Sequence, residues 1–212
     1  KAAADLAAAL KATPAAAAPA AAGVMWTTVF TPVEGAKLKP VTFGGWKATD
    51  KALVQSDASL KFAKYAVPFA QSANHTLYGF TAKAGATGWV GFGLHFYASG
   101  AKRADTYGFG KSYLVWLTRD EAYYRTKKAY VQLYQSSDDV TMIQLASANI
   151  GLDLTQPVNT EVQYNKTTKM IEVYINGEMV LMQEVDVIPS GDSMAARTLG
   201  GGVEFSAFYV KT

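Results

Sequence analysis

EVQYNKTTKMIEVYINGEMVLMQEVDV, residues 161–187, reads as three antiparallel strands joined by two tight turns. Asn176-Gly177 supplies the pair of positive-φ residues that a type I′ hairpin needs, and β-branched and apolar residues flank it on both sides. A two-residue turn sets the register across itself. Ile171 and Val173 are then expected on one face with Val180 and Met182, and Glu172 and Tyr174 on the other with Met179 and Leu181. Such a hairpin implies a sheet covered on both faces.

Outward from this stretch the chain keeps the same rhythm of short apolar runs broken by Gly, Pro, Asn and Asp. Strands are expected at 24–30, 52–55, 65–69 and 75–83, with Phe43-Gly44-Gly45-Trp46 as a turn anchored by aromatics. In GWVGFGLHFY, residues 88–97, strict alternation puts Val90, Phe92, Leu94 and Phe96 on the core face. Trp89, Gly91, Gly93, His95 and Tyr97 fall on the other, where the glycines let a neighbour approach the backbone closely. Residues 98–110 are too rich in glycine and charge for a strand and read as an exposed loop. Strands follow at 112–119, 130–135, 141–148 and 202–210, with one helical turn near 120–124. About a dozen short strands in an unrepeated series describe an all-β fold of two packed antiparallel sheets, a jelly-roll sandwich.

At 212 residues with 50% hydrophobic content, the chain can bury one large core. The 20 Lys and Arg against 17 Asp and Glu leave a net charge of +3, too small and scattered for a nucleic-acid partner. Cysteine is absent, which excludes disulfides, cysteine nucleophiles and thiolate metal sites. No apolar run approaches the roughly 20 residues that span a bilayer. The first residue is Lys, so the sequence is expected to be processed or partial at its start. Asn74-His75-Thr76 and Asn165-Lys166-Thr167 match the glycosylation pattern, which has meaning only in a eukaryotic secretory setting.

Residues 1–23 differ from the rest, being mostly alanine broken by Pro14 and Pro19. Leu6 and Leu10, four apart, give residues 1–12 the thin apolar stripe of a short helix, which is marginal in water unless it packs on something. The Ala-Pro stretch after it is a semi-stiff spacer. Two parts are therefore expected, a tail over 1–23 and a sandwich over 24–212.

Three segments carry a family resemblance: LYGFTAK from Leu77 with GWVGFGL from Gly88, VQYNKTTKMIEVYINGE from Val162, and GGVEFSAFY ending at Tyr209. Over residues 26–212 the chain resembles the concanavalin A-like superfamily, which includes laminin-G-like and glucanase-like domains. The resemblance implies a curved β-sandwich, exported from the cytoplasm to the periplasm, the cell surface or the medium, that binds sugars or proteins on its concave face. The hydrolases of that superfamily carry paired carboxylates two to four residues apart on one strand. This chain lacks them, since Asp120-Glu121 and Asp138-Asp139 are adjacent and Glu172, Glu178 and Glu184 lie on the hairpin. The clustered ligands of a legume-lectin metal site are missing too. No cofactor is expected, although a structural calcium ion of the laminin-G kind remains compatible with the sequence.

Neither His75 nor His95 has a nucleophile elbow to serve, and no helix follows the glycines of 88–93 to cradle phosphate. A non-enzymatic protein is expected. What remains is a polar and aromatic surface. His95, Tyr97, Lys102, Arg103, Asp105 and Tyr107 come from one strand and its loop, and Trp116, Tyr123, Tyr124, Arg125, Tyr130 and Tyr134 from the next stretch. Rings that stack on sugar C–H faces beside Arg or Asp suit a glycan, and the same residues suit a protein interface. The leading expectation is a structural subunit of an extracytoplasmic assembly such as a filament sheath or coat, docking by its sandwich and by Leu6 and Leu10 of its tail on other protein subunits. The alternative is a carbohydrate-binding module using the aromatic face, and third comes a glucanase-type glycoside hydrolase.

Overall fold

The computed structural model describes residues 28–30, 40–49, 52–85, 88–200 and 202–212. The expected tail helix with Leu6 and Leu10, and the start of the first strand, lie outside the described residues. In chain order the early strands are β1 (Thr28–Phe30), β2 (Val41–Phe43), β3 (Trp46–Ala48), β4 (Leu53–Gln55), β5 (Ala63–Gln71) and β6 (His75–Ala84). Then come β7 (Val90–Ser99), β8 (Lys111–Arg119), the one-turn helix α1 (Glu121–Tyr124), β9 (Tyr130–Ser136) and β10 (Met142–Asn149). The chain closes with β11 (Val158–Asn165), β12 (Met170–Ile175), β13 (Glu178–Glu184), β14 (Gly191–Leu199) and β15 (Val203–Lys211).

These strands form two antiparallel sheets. The first runs β13-β12-β11-β6-β15-β4-β3, with β1 beside the end of β15, and the second runs β10-β9-β8-β7-β14-β5-β2. Consecutive strands β11–β13 and β7–β10 lie beside strands from distant parts of the chain, β15 next to β6 and β14 between β7 and β5, as in a jelly roll. Between the sheets lies an aromatic core in which Tyr78, Phe80, Phe92, Phe96, Tyr113, Tyr164 and Phe205 are fully buried. Tyr78 meets Phe96 at 4.9 Å between ring centroids, and Phe205 meets Phe80 edge-on at 5.8 Å. The phenol hydroxyls of three core tyrosines find acceptors: Tyr78 donates to Gln71 Oε1, Tyr97 to Ala73 O and Tyr113 to Asp186 O.

The hairpin turn forms as its sequence predicts. Asn176 and Gly177 have φ of 52° and 87°. The Asn176 Oδ1 also accepts from Asn159 N at 3.0 Å, tying the turn to β11. Beyond the turn the expected register is corrected. Tyr174 pairs with Met179, but Val173 pairs with Leu181 and Glu172 with Met182, because the register shifts by one residue at Val180. The bulge turns Leu181 into the core beside Ile171 and Val173, and leaves Met182 57% exposed. An extra residue in one strand reverses every face assignment beyond it.

A second correction concerns β7. Its core face is as expected, but the register with β8 shifts between Phe96 and Ser99, and Tyr97 adopts a φ of 52°. The irregularity swings the Tyr97 ring inward, 4.9 Å from Tyr164, so it lies in the core and not on the outer face with His95. The strand β14, between β7 and β5, is absent from the strands expected from sequence. Its GDSMAARTL is poor in the residues that mark strands, and its Ala195 and Ala196 are small because both faces are covered.

Replacing Asn176 with Val tests the turn on which this register depends. A β-branched residue resists positive φ, so Asn176→Val is expected to cost about 1–2 kcal/mol. That corresponds to a fall in melting temperature of roughly 2–8 °C for a domain of this size. An unchanged melting temperature followed by circular dichroism would contradict the turn assignment.

Candidate functional site

The outer face of the second sheet, opposite the core, carries a different set of side chains. Alternation along β8 sends Tyr113, Val115 and Leu117 inward and Leu114, Trp116 and Thr118 outward; along β9 it sends Gln132 and Tyr134 outward. Across the middle strand β7 the outward positions are Gly91 and Gly93. A Cβ on Gly91 would fall 2.3 Å from Trp116 Cζ2, so the missing side chain lets the indole lie flat along the sheet. The floor is thus Trp116 and Leu114 together with Arg197 and Leu199 of β14.

Walls rise around this floor. Phe62 precedes β5, Trp89 precedes β7, Tyr107 hangs from the 100–110 loop, and Asp120 and Tyr123 stand at α1. They enclose a cleft of about 430 Å³, with Gln132, Tyr134, Met142 and Gln144 on its far side. Trp89 and Tyr123 are 52% and 68% exposed, so two rings stand in solvent at its rim, Trp89 with the Lys61 ammonium 5.6 Å from its centroid. Its amides and phenols are pre-set: Gln132 donates to Gln144 Oε1 at 3.0 Å and accepts from the Tyr134 hydroxyl at 3.1 Å. Burial pushes the Tyr134 hydroxyl well above the usual phenol range, so it stays neutral.

Arg197 is the unusual member. It is 3% exposed, with its guanidinium 4.9 Å from the Trp116 ring, 5.0 Å from Tyr107 and 5.3 Å from Phe62. Its only hydrogen-bond acceptor among the described residues is Met142 Sδ at 3.8 Å, and its Nε is buried without a partner. No carboxylate pairs with it: the ion pairs among the described residues are Lys83–Glu204, Arg103–Asp105 and Arg119–Glu121. Burial lowers its pKa to about 10, which still leaves it charged at neutral pH. Cation–π contacts of about 0.5–2 kcal/mol each offset part of the desolvation cost.

Two more basic side chains lie under the 100–110 loop. Lys64, the register partner of Arg197 on β5, donates through Nζ to Ala104 O at 3.3 Å and to Thr106 O. Burial, with Arg197 close by, pushes its pKa down to about 7. His95 on β7 has its Nδ1 3.1 Å from Ser112 Oγ and its Nε2 buried without a partner, and burial holds it well below the usual histidine range. From the other side Asp139 accepts from Gly110 N at 2.8 Å and Lys102 N at 3.0 Å. The turn between β9 and β10 thus serves to clamp the loop that carries Tyr107 over Arg197.

Of the residues singled out in the sequence, the structure brings Tyr107, Trp116, Tyr123 and Tyr134 together at the cleft. His95 lies beneath the loop and Tyr97 in the core. Arg103 and Asp105 pair with each other at 2.8 Å on the solvent side of the loop, away from the cleft. Tyr124 packs behind Tyr123, stacked on Tyr130 at 3.6 Å, and Arg125 caps α1 from outside with a φ of 57°. Sequence reasoning missed Arg197, Phe62, Gln132 and Gln144. Arg197 gave no signal because β14 itself was not recognised, whereas the outward positions of β9 and β10 were available by alternation. Among the described residues no group of three or more His, Asp or Glu side chains is placed to hold a metal ion. No helix among them is long and apolar enough to cross a membrane.

No protein-family model matches the sequence, and no curated protein matches it. Solved structures do share the fold. A legume lectin-like domain from Entamoeba histolytica superposes with a TM-score of 0.64 at 10% identity, over 88% of this chain and 98% of that one. A Bacillus subtilis protein of unknown function with a galectin-like fold gives 0.63 at 15% identity, over 88% and 97%. The carbohydrate-binding module CBM66 from Bacillus subtilis gives 0.58 at 11% identity, over 82% and 95%. A protein assigned to the glycosyl hydrolases shares the fold as well. At these identities the likeness concerns the fold alone, a two-sheet antiparallel jelly-roll sandwich.

Lys64 provides a pH-dependent test of the floor. Its folded pKa of about 7 lies below the ordinary lysine value of 10.5, so between these the unfolded chain binds more protons and stability rises with pH. The contribution is complete above the unfolded value and is lost as pH falls toward 7. Between pH 7 and 9, below the range where tyrosines titrate, wild-type stability is expected to climb by up to about 1.4 kcal/mol per pH unit. Lys64→Met is expected to flatten this slope in thermal melts, and a slope that persists in the variant would contradict the burial of Lys64.

Proposed function

We propose that the chain is a non-catalytic carbohydrate-binding domain that holds a glycan in the cleft on the outer face of the second sheet. The observation that carries this reading is the cleft itself, with the exposed rings of Trp89 and Tyr123 above a floor of fixed amides, a phenol and a guanidinium. Rings supply the flat apolar surfaces that sugar C–H faces stack against, and the pre-set polar groups fix orientation. That lectin-like and carbohydrate-binding domains share the fold supports the same reading. It also fits a location outside the cytoplasm.

Catalysis is a poorer fit. Glycoside cleavage by the common route requires two carboxyl groups flanking the scissile bond. Asp120 is the one carboxylate lining the cleft among the described residues, and its Oδ1 accepts from Tyr123 N at 3.0 Å to cap α1.

The structural-subunit reading draws on a different surface. Ile143 on the edge strand β10, Val140 just before it, and Met179 and Met182 on the edge strand β13 are 41–63% exposed, and uncovered edges invite protein partners. Its other support, Leu6 and Leu10, lies outside the described residues. If assembly uses these edges, the wild-type chain self-associates in sedimentation velocity and Ile143→Lys with Met182→Lys abolishes this. A monomer at every concentration would count against homo-assembly.

For the glycan reading, Trp89→Ala and Tyr123→Ala are each expected to weaken binding about three- to tenfold, because an aromatic contact is worth roughly 0.5–1.5 kcal/mol. Both side chains are exposed, so melting temperature should hold. Calorimetric titration with a glycan selected from an array measures the effect. Binding by both variants at wild-type strength, or no binding to any arrayed glycan, would overturn the proposal.

A further inference from the structure

The floor of the cleft carries a charge that a neutral sugar leaves unanswered. Arg197 borders the cleft, is 3% exposed, and has neither a carboxylate nor a carbonyl to receive its N–H groups among the described residues. Its cross-strand neighbours do not compensate. Lys64 is opposite it on β5 and His95 lies on β7, which pairs the other edge of β14, so the buried ionisable groups facing it are basic. The acidic groups around the cleft and its loop are otherwise engaged: Asp120, which lines the cleft, accepts from Tyr123 N, Asp105 pairs with Arg103, and Asp139 holds the loop amides of Lys102 and Gly110. Three rings hold the guanidinium in place without saturating its donors, since π faces stabilise its charge but take none of its N–H groups in a fork.

A guanidinium presents parallel N–H groups whose geometry matches a carboxylate, and the pairing is strongest where water is excluded. A sugar hydroxyl could accept one of these bonds but would leave the charge uncompensated. We infer that the ligand is an acidic glycan, one bearing a carboxylate such as a uronic or sialic acid unit, and that this carboxylate seats on Arg197; the inference rests on the cleft being a glycan site. Gln144, exposed on the far side, and the rim rings of Trp89 and Tyr123 then meet the remainder of the chain.

The test uses an array of uronate- and sialate-bearing glycans beside their carboxyl-reduced counterparts, followed by calorimetry on the best pair. Acidic members are expected to bind about tenfold or more tightly than their reduced forms, the range of a hydrogen bond to a charged group. Arg197→Met, of similar length and apolar, should bring the two forms to within about twofold of each other. The wild-type comparison stands without the variant, so a poorly folded Arg197→Met does not rescue or sink the result. Equal wild-type binding of acidic and reduced forms overturns the inference and leaves the glycan reading intact. No binding to either form overturns both, and acidic preference that survives in a folded Arg197→Met places the carboxylate elsewhere and overturns the assignment to Arg197.

Discussion

Arg197 stays charged in a place where none of the described residues gives it a counter-ion, and the outer face of the second sheet is arranged around that constraint. A buried guanidinium costs several kcal/mol of hydration, and only partial compensation comes from Phe62, Tyr107 and Trp116. Two of these rings depend in turn on something else. Trp116 lies flat because Gly91 lacks a side chain, and Tyr107 hangs over the site because its loop is clamped. Substitutions well away from the cleft can therefore reach it through the rings.

The clamp is itself a consequence of the fold. Lys64 reaches the loop carbonyls of Ala104 and Thr106 from below, while Asp139 of the β9–β10 turn holds its amides from the side. Lys64 lies on β5, where the alternation that buries Tyr65 and Val67 in the core aims Lys64 to the opposite face. The aromatic core between the sheets gives these strands a rigid backing, and the cleft inherits it. A site built on strands and a clamped loop binds at little entropic cost, because its groups are already in position.

Much of this was legible by periodicity. The alternation of Val90, Phe92, Leu94 and Phe96 identified a core strand, and Asn176-Gly177 identified a turn that the φ angles reproduce. Alternation fails where a strand gains a residue. The bulge at Val180 exchanged Leu181 for its neighbours, and the irregularity at Tyr97 moved a candidate ligand residue into the core. Neither leaves a mark in composition, because a bulge is chosen by packing on both sides of it. The harder loss was β14. With Ala195 and Ala196 sandwiched between β7 and β5, it has no β-branched run to announce it, and Arg197 was invisible with it. Of the cleft, the aromatic wall could be read from residue types, but the charged floor required the pairing of strands far apart in sequence.

The central claim is that ligand meets the protein at this floor and nowhere else on the sandwich. Side-chain nuclear magnetic resonance of Arg197 and of the Trp116 indole, followed during titration with a bound glycan, tests it most directly. Both signals are predicted to move together and to saturate at the affinity measured by calorimetry, because the guanidinium and the ring share one contact at 4.9 Å. Saturable binding that leaves both signals in place while shifting residues of the edge strands β10 and β13 would contradict it.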